Sequence, residues 1–195
     1  MSQVIEFIGI GRAGKSTQVR LLKNALIKKG HSVKVITDRQ RASTIHVPVT
    51  EYIGYKIVFA AKALDQYFSY KDKNDFIIVE RGFHDIAVWF DAEKRLSHIQ
   101  PIRANELRNT FLEYTKAVDK VIFLDVTPQK AAERQEKIRE QMDDRFEDFI
   151  VGPYPKALGE AYLEYKKGLK NILHISGADS KKNIHEKIIS FVLKK

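Results

Sequence analysis

VIEFIGIGRAGKSTQ, residues 4–18, sets an apolar run against a glycine-rich turn and then the start of an amphipathic helix. Gly9, Gly14, Lys15 and Ser16 fit the spacing G-x-x-x-x-G-K-[ST]. In that spacing the glycines let the backbone wrap an anion, and the successive N–H groups from Gly9 through Gly11, Arg12, Ala13 and Gly14 to Thr17, at the N-terminus of the helix, turn toward it. A lysine at position 15 reaches the outer phosphates of a nucleotide and a hydroxyl at position 16 ligates magnesium. The stretch therefore reads as a phosphate cradle for ATP and magnesium, flanked by the strand and the helix that such a cradle needs.

Working outward, apolar runs of strand length recur at residues 4–10, 33–37, 76–80, 120–126 and 171–176. Between them lie longer segments with helical patterning. Strands almost continuous in apolar residues, alternating with helices, predict a parallel sheet covered on both faces. The expected architecture is α/β: a three-layer phosphate-binding-loop fold with a central five-stranded parallel sheet and a helical lid over residues 134–152. The first helix is expected to start in GKST, carry Val19, Leu22, Leu26 and Ile27 at helical spacing, and close at Gly30. Further helices are expected over 52–70, 103–118 and 127–141, the last with Thr127 as cap and Pro128 at its first position. HDIAVWFD, residues 84–91, reads as a packed helix, and HIQPIRAN around Pro101 as a long loop.

With 195 residues the chain has the length of one well-buried core, so a single domain over 1–195 is expected. Apolar residues at 44% and charged residues at 30% are the balance of a globular protein. The absence of cysteine excludes a disulfide framework, thiolate zinc sites and cysteine nucleophiles. No run approaches the roughly 20 apolar residues of a membrane span. The opening carries Glu6 and no basic region, so no signal peptide is expected and a cytoplasmic location follows. The formal charge of +9 suits an anionic partner, and both nucleic acid and a small phosphorylated substrate qualify; charge alone does not choose, and it is the phosphate loop that favours a small nucleotide.

In an open parallel sheet ligands bind beyond the carboxyl ends of the strands. Glu80-Arg81 follows the third strand, where a carboxylate can hold a magnesium shell or take a proton and an arginine can clamp a phosphate. Arg39 and Arg41 follow the second strand. Arg134, Arg139 and Arg145 follow the fourth, where cations on a closing segment would stabilise phosphoryl transfer. Phe59, Tyr67, Phe68, Phe83, Trp89 and Phe90 could line a base pocket, although aromatic residues at helical spacing are more often core. The histidines show no metal-ligand pair at helical spacing; His84, near Glu80, is the one worth following.

RAGKSTQ, then IIVERGF, then DDRFE, occur in the order found in thymidylate kinases, and the chain resembles that family from its first strand to about EAYLEYKKG. The resemblance implies MgATP as donor and a nucleoside monophosphate as acceptor. It implies that Ser16 and Glu80 serve the metal, that Lys15, Arg12 and Arg145 serve the transferring phosphoryl group, and that Arg134 lies near the adenine. Arg81, Phe83 and one of Arg39 or Arg41 would serve the acceptor, and a homodimer through helices flanking the sheet is implied as possible. The chain departs from the family at Gly11, where an acidic residue is usual, and at Ile8, where a glutamate is. Asp85 and Val88-Trp89-Phe90 replace a serine and an Ala-Tyr-Gln run. Two alternatives stay open: a deoxynucleoside kinase, whose base would be the glutamate missing at Ile8, and an ATPase or nucleotide-binding module acting on a macromolecule.

Overall fold

The computed structural model describes residues 2–37, 40, 46, 52–139 and 153–194. Its five strands are β1 (Gln3–Ile8), β2 (Val33–Ile36), β3 (Phe76–Glu80), β4 (Lys120–Asp125) and β5 (Ile172–Ser176). The helices are α1 (Lys15–Lys28), α2 (Tyr52–Tyr70), α3 (Phe83–Arg95), α4 (Pro101–Thr115), α5 (Pro128–Arg139), α6 (Tyr154–Tyr165) and α7 (Lys181–Leu193). All strand pairs are parallel, in the order β2-β3-β1-β4-β5. The central five-stranded parallel sheet expected from the apolar runs is thus present.

β1 sits at the centre because the chain runs first to the β2–β3 side and then crosses to β4 and β5. That reversal opens a crevice at the carboxyl ends of β1 and β3, where such sheets take their ligands. The pleat turns Ile5 and Phe7 to one face and Val4, Glu6 and Ile8 to the other, and all five residues, the charged Glu6 among them, are buried. Val4 packs with Ile36, Ile77 and Val79 beneath Tyr67 and Tyr70 of α2. Trp89, Phe90 and Phe111 join α3 to α4, with Phe90 and Phe111 stacked at 5.9 Å between centroids.

β3 matches its expected bounds, the other strands differ from theirs by at most two residues at an end, and the reason at β1 is instructive. The apolar run continues to Ile10, yet β1 ends at Ile8 because Gly9 takes φ +137° and turns the chain into the loop. Thr127 caps α5 as expected, its hydroxyl accepting from the Lys130 N–H at 3.2 Å. The expectation of a long loop around Pro101 is corrected: Pro101 is the first residue of α4, where its missing N–H costs nothing. No helix among the described residues is long and apolar enough to cross a membrane.

Candidate active site

The loop from Gly9 to Ser16 is shaped by its own backbone. A Cβ on Gly9 would collide with the Leu124 carbonyl of the neighbouring strand, so only glycine fits there. Gly14 instead has open space around it but holds φ +98°, the left-handed region that glycine enters without strain. It caps α1 with no side-chain acceptor, and the first turn of α1 carries no acidic residue, leaving the helix N-terminus to an anion. Lys15 is 4% exposed, and its ammonium donates to the carbonyls of Gly9 and Ile10, both at 2.7 Å. The cation is thereby held inside the curve of the loop.

Ser16 and Glu80 meet across the crevice, the hydroxyl donating to the buried carboxylate at 2.6 Å. This pairs the first turn of α1 with the last residue of β3, 64 positions later in the chain. A hydroxyl and a carboxylate at a phosphate loop are hard oxygen donors of the kind magnesium takes, completed by nucleotide phosphates and water. Among the described residues no cluster of three or more acidic or histidine side chains forms a separate cation cage. The donor set therefore fits magnesium delivered with a nucleotide.

Arg12 has φ +58°, and its guanidinium donates to Gln135 of α5. Arg134 donates to the Arg12 carbonyl at 3.0 Å and to the Gly177 carbonyl, beyond β5, at 2.6 Å. The loop is thus braced from α5 and from the end of the last strand.

Arg81 also has a left-handed backbone, φ +57°, and its guanidinium lies 3.8 Å from the Asp85 carboxylate. Asp85 is buried and accepts a hydrogen bond from Tyr162 of α6, whose hydroxyl also lies 3.4 Å from the Gly9 carbonyl. Burial, reinforced by the Asp85 charge, raises the Tyr162 phenol well above its ordinary value, so it stays a donor. Beneath the turn, fully buried Glu6 accepts from the N–H groups of Gly82 at 3.0 Å, His84 at 3.2 Å and Asp85 at 2.9 Å. Burial pushes its carboxyl up to about 8 against the pull of those three donors. His84 is pushed down to about 4 by burial and pairs with the Tyr165 hydroxyl at 2.8 Å. A neutral imidazole of this kind packs and bonds without adding charge to the crevice.

The structure brings Gly9, Gly11, Arg12, Ala13, Gly14, Lys15, Ser16, Thr17, Glu80, Arg81 and Arg134 to one end of the sheet. Phe83 departs from its expected place at the acceptor: it is fully buried, edge-on to Tyr67 at 5.9 Å and tilted against Tyr114 at 6.1 Å. Trp89 and Phe90 are likewise buried in the α3–α4 packing, whereas Phe68 is 54% exposed. Arg39, Arg41 and Arg145 lie outside the described residues, as does most of the 134–152 segment. Glu6 and Tyr162 were not foreseen. The one usable signal for Glu6 is that it is the sole charge in an otherwise apolar strand.

No protein-family profile matches the chain. It is 26% identical over 205 residues to a thymidylate kinase of Thermoanaerobacter sp., covering 97% of each chain. To a thymidylate kinase of Caldanaerobacter subterraneus subsp. tengcongensis it is 24% identical over 209 residues, covering 96% of this chain and 93% of the relative. In structure it is similar to the deoxyadenosine kinase from M. mycoides with bound dATP, with a TM-score of 0.68 at 18% identity over 98% of this chain and 100% of the other. The same enzyme with bound dCTP gives 0.68 at 17% identity. These likenesses support a phosphotransferase among the phosphate-binding-loop kinases of nucleosides and nucleotides.

Proposed function

We propose that the chain transfers the terminal phosphoryl group of MgATP to a nucleoside monophosphate, as a thymidylate kinase-like enzyme with a rebuilt acceptor pocket. The observation that carries this reading is the meeting of Ser16 with Glu80 at 2.6 Å beside a loop that holds the Lys15 ammonium in its curve. Phosphoryl transfer asks little covalent chemistry of a protein and depends on positioning and charge. Lys15 and Arg12 neutralise the transferring group. Ser16 and Glu80 hold magnesium, which when bound withdraws charge from the phosphates. Arg81 orients the acceptor by its phosphate, a task a guanidinium performs bidentately.

Deoxynucleoside kinase is the second reading, favoured by a glutamate rather than an aspartate before Arg81 and by the likeness to the M. mycoides enzyme. Ile8, fully buried, replaces a glutamate that both resemblances imply, so the acceptor itself has to separate the two readings. The test is ADP release from MgATP with each common nucleoside and nucleoside monophosphate in turn, beside a control without acceptor. Stimulation by a monophosphate is expected. Stimulation by nucleosides alone selects the second reading, and hydrolysis indifferent to every acceptor overturns both.

A further inference from the structure

α3 has no cap of its own. Its N-cap residue is Gly82, with no side chain to accept from the first turn. The N–H groups of His84 and Asp85, which a capping side chain would ordinarily satisfy, go instead to Glu6 on the adjacent strand. The same carboxylate takes the N–H of Gly82, so one group does both halves of a capping box from outside the helix. Glu6 is fully buried among apolar strand residues, an arrangement that is costly unless its oxygens are satisfied.

The position of this cap gives it significance. Arg81 lies between the end of β3 and the start of α3, in a left-handed conformation that a non-glycine residue adopts at a cost. Its own N–H donates to the Phe7 carbonyl at 3.1 Å, and the next N–H, of Gly82, donates to Glu6. Two consecutive residues of β1 therefore clamp the peptides on either side of Arg81. On the far side, Asp85 stands 3.8 Å from the guanidinium and accepts from Tyr162. There is little room to rearrange, since a Cβ on Gly82 would stand 3.0 Å from the Glu6 carboxylate.

We propose that Glu6, with Asp85 behind it, is a positioning residue that holds the strained Arg81 turn in register with the phosphate loop, so that the arginine meets an acceptor phosphate without reorganisation. This rests on the kinase reading above and deepens it. A displacement of about 1 Å at a positioning group can cost on the order of 100-fold in rate.

The test is a double-mutant cycle on the full chain with the best acceptor found. Glu6→Gln keeps the shape but replaces an accepting oxygen with an amide nitrogen. It is expected to lower kcat/KM for the acceptor by about 10- to 100-fold while the MgATP KM stays within about twofold. Because Glu6 acts through Arg81, Glu6→Gln combined with Arg81→Ala is expected to be no worse than Arg81→Ala alone. Asp85→Asn is expected to lose several-fold and to show the same non-additivity; it decides the matter if Glu6→Gln fails to fold. Losses that add in full to that of Arg81→Ala, or a variant that equals the wild type, overturn the proposal. A wild type that binds MgATP but phosphorylates no acceptor overturns the kinase reading, and this role with it.

Discussion

The two sides of the crevice are built by opposite means. The phosphate loop is local: Lys15 bonds to carbonyls five and six positions back, and glycines at 9 and 14 supply the shape. The Arg81 turn is held from afar, by Glu6 at separations of 76 to 79 residues and by the Asp85–Tyr162 bond 77 residues long. A site that must grip the same triphosphate in any member of its fold can be written as a short motif. On the function proposed above, the side that fits the acceptor is set by what the surrounding core presents, and so it leaves no short motif to read.

The comparison breaks most sharply at Lys15. Lys15→Ala is expected to reduce turnover on the order of 1000-fold, since it removes a cation from the transferring group, with the thermal midpoint little changed because the loop is backbone-made. Unfolding of this variant, seen in a melting curve, would show that the loop depends on its lysine for shape. Arg81→Ala is expected to lower acceptor kcat/KM on the order of 100-fold and to leave MgATP affinity alone. A loss confined to MgATP would merge the two sides into one. Gly82→Ala sharpens the contrast, because the new Cβ would stand 2.7 Å from a Val79 methyl. Overpacking of this kind costs about 1–3 kcal/mol, read as a fall of several degrees in midpoint.

The smallest effect is one of pH. His84 titrates near 4 in the folded chain and near 6.5 when unfolded, so the unfolded chain binds the extra proton between those values. Its contribution is present above pH 6.5 and is lost as pH falls toward 4. Glu6, raised by burial from 4.5 to about 8, works in the opposite sense over a window that reaches higher, its contribution full below 4.5 and lost as pH rises toward 8. The wild-type curve blends the two, and the difference between wild type and His84→Asn isolates one. That difference in thermal midpoint is expected to be larger at pH 7 than at pH 5.

The sheet was readable because buried parallel strands are nearly unbroken apolar runs, and FIIVE at 76–80 ends where its apolar character ends. The phosphate loop was readable because spacing and flanking elements agree. Pro101 misled because a proline marks a helix start as readily as a loop, and only the packing of Ala104 and Phe111 distinguishes them. Phe83 misled because adjacency to Arg81 in sequence says nothing about direction: at the first position of α3 it turns into the core. Glu6 escaped notice because its partners are N–H groups, which no side-chain pattern reveals.

The Arg134 guanidinium ties the loop at Arg12 to Gly177, joining the first strand's turn to the last strand's. A chain growing from its N-terminus therefore has the whole phosphate motif in hand after 16 residues, yet cannot complete the brace until residue 177 has been made. On the function proposed above, the loop would take its full grip on a triphosphate only once the last strand has docked, so that nucleotide affinity would report the completeness of the sheet.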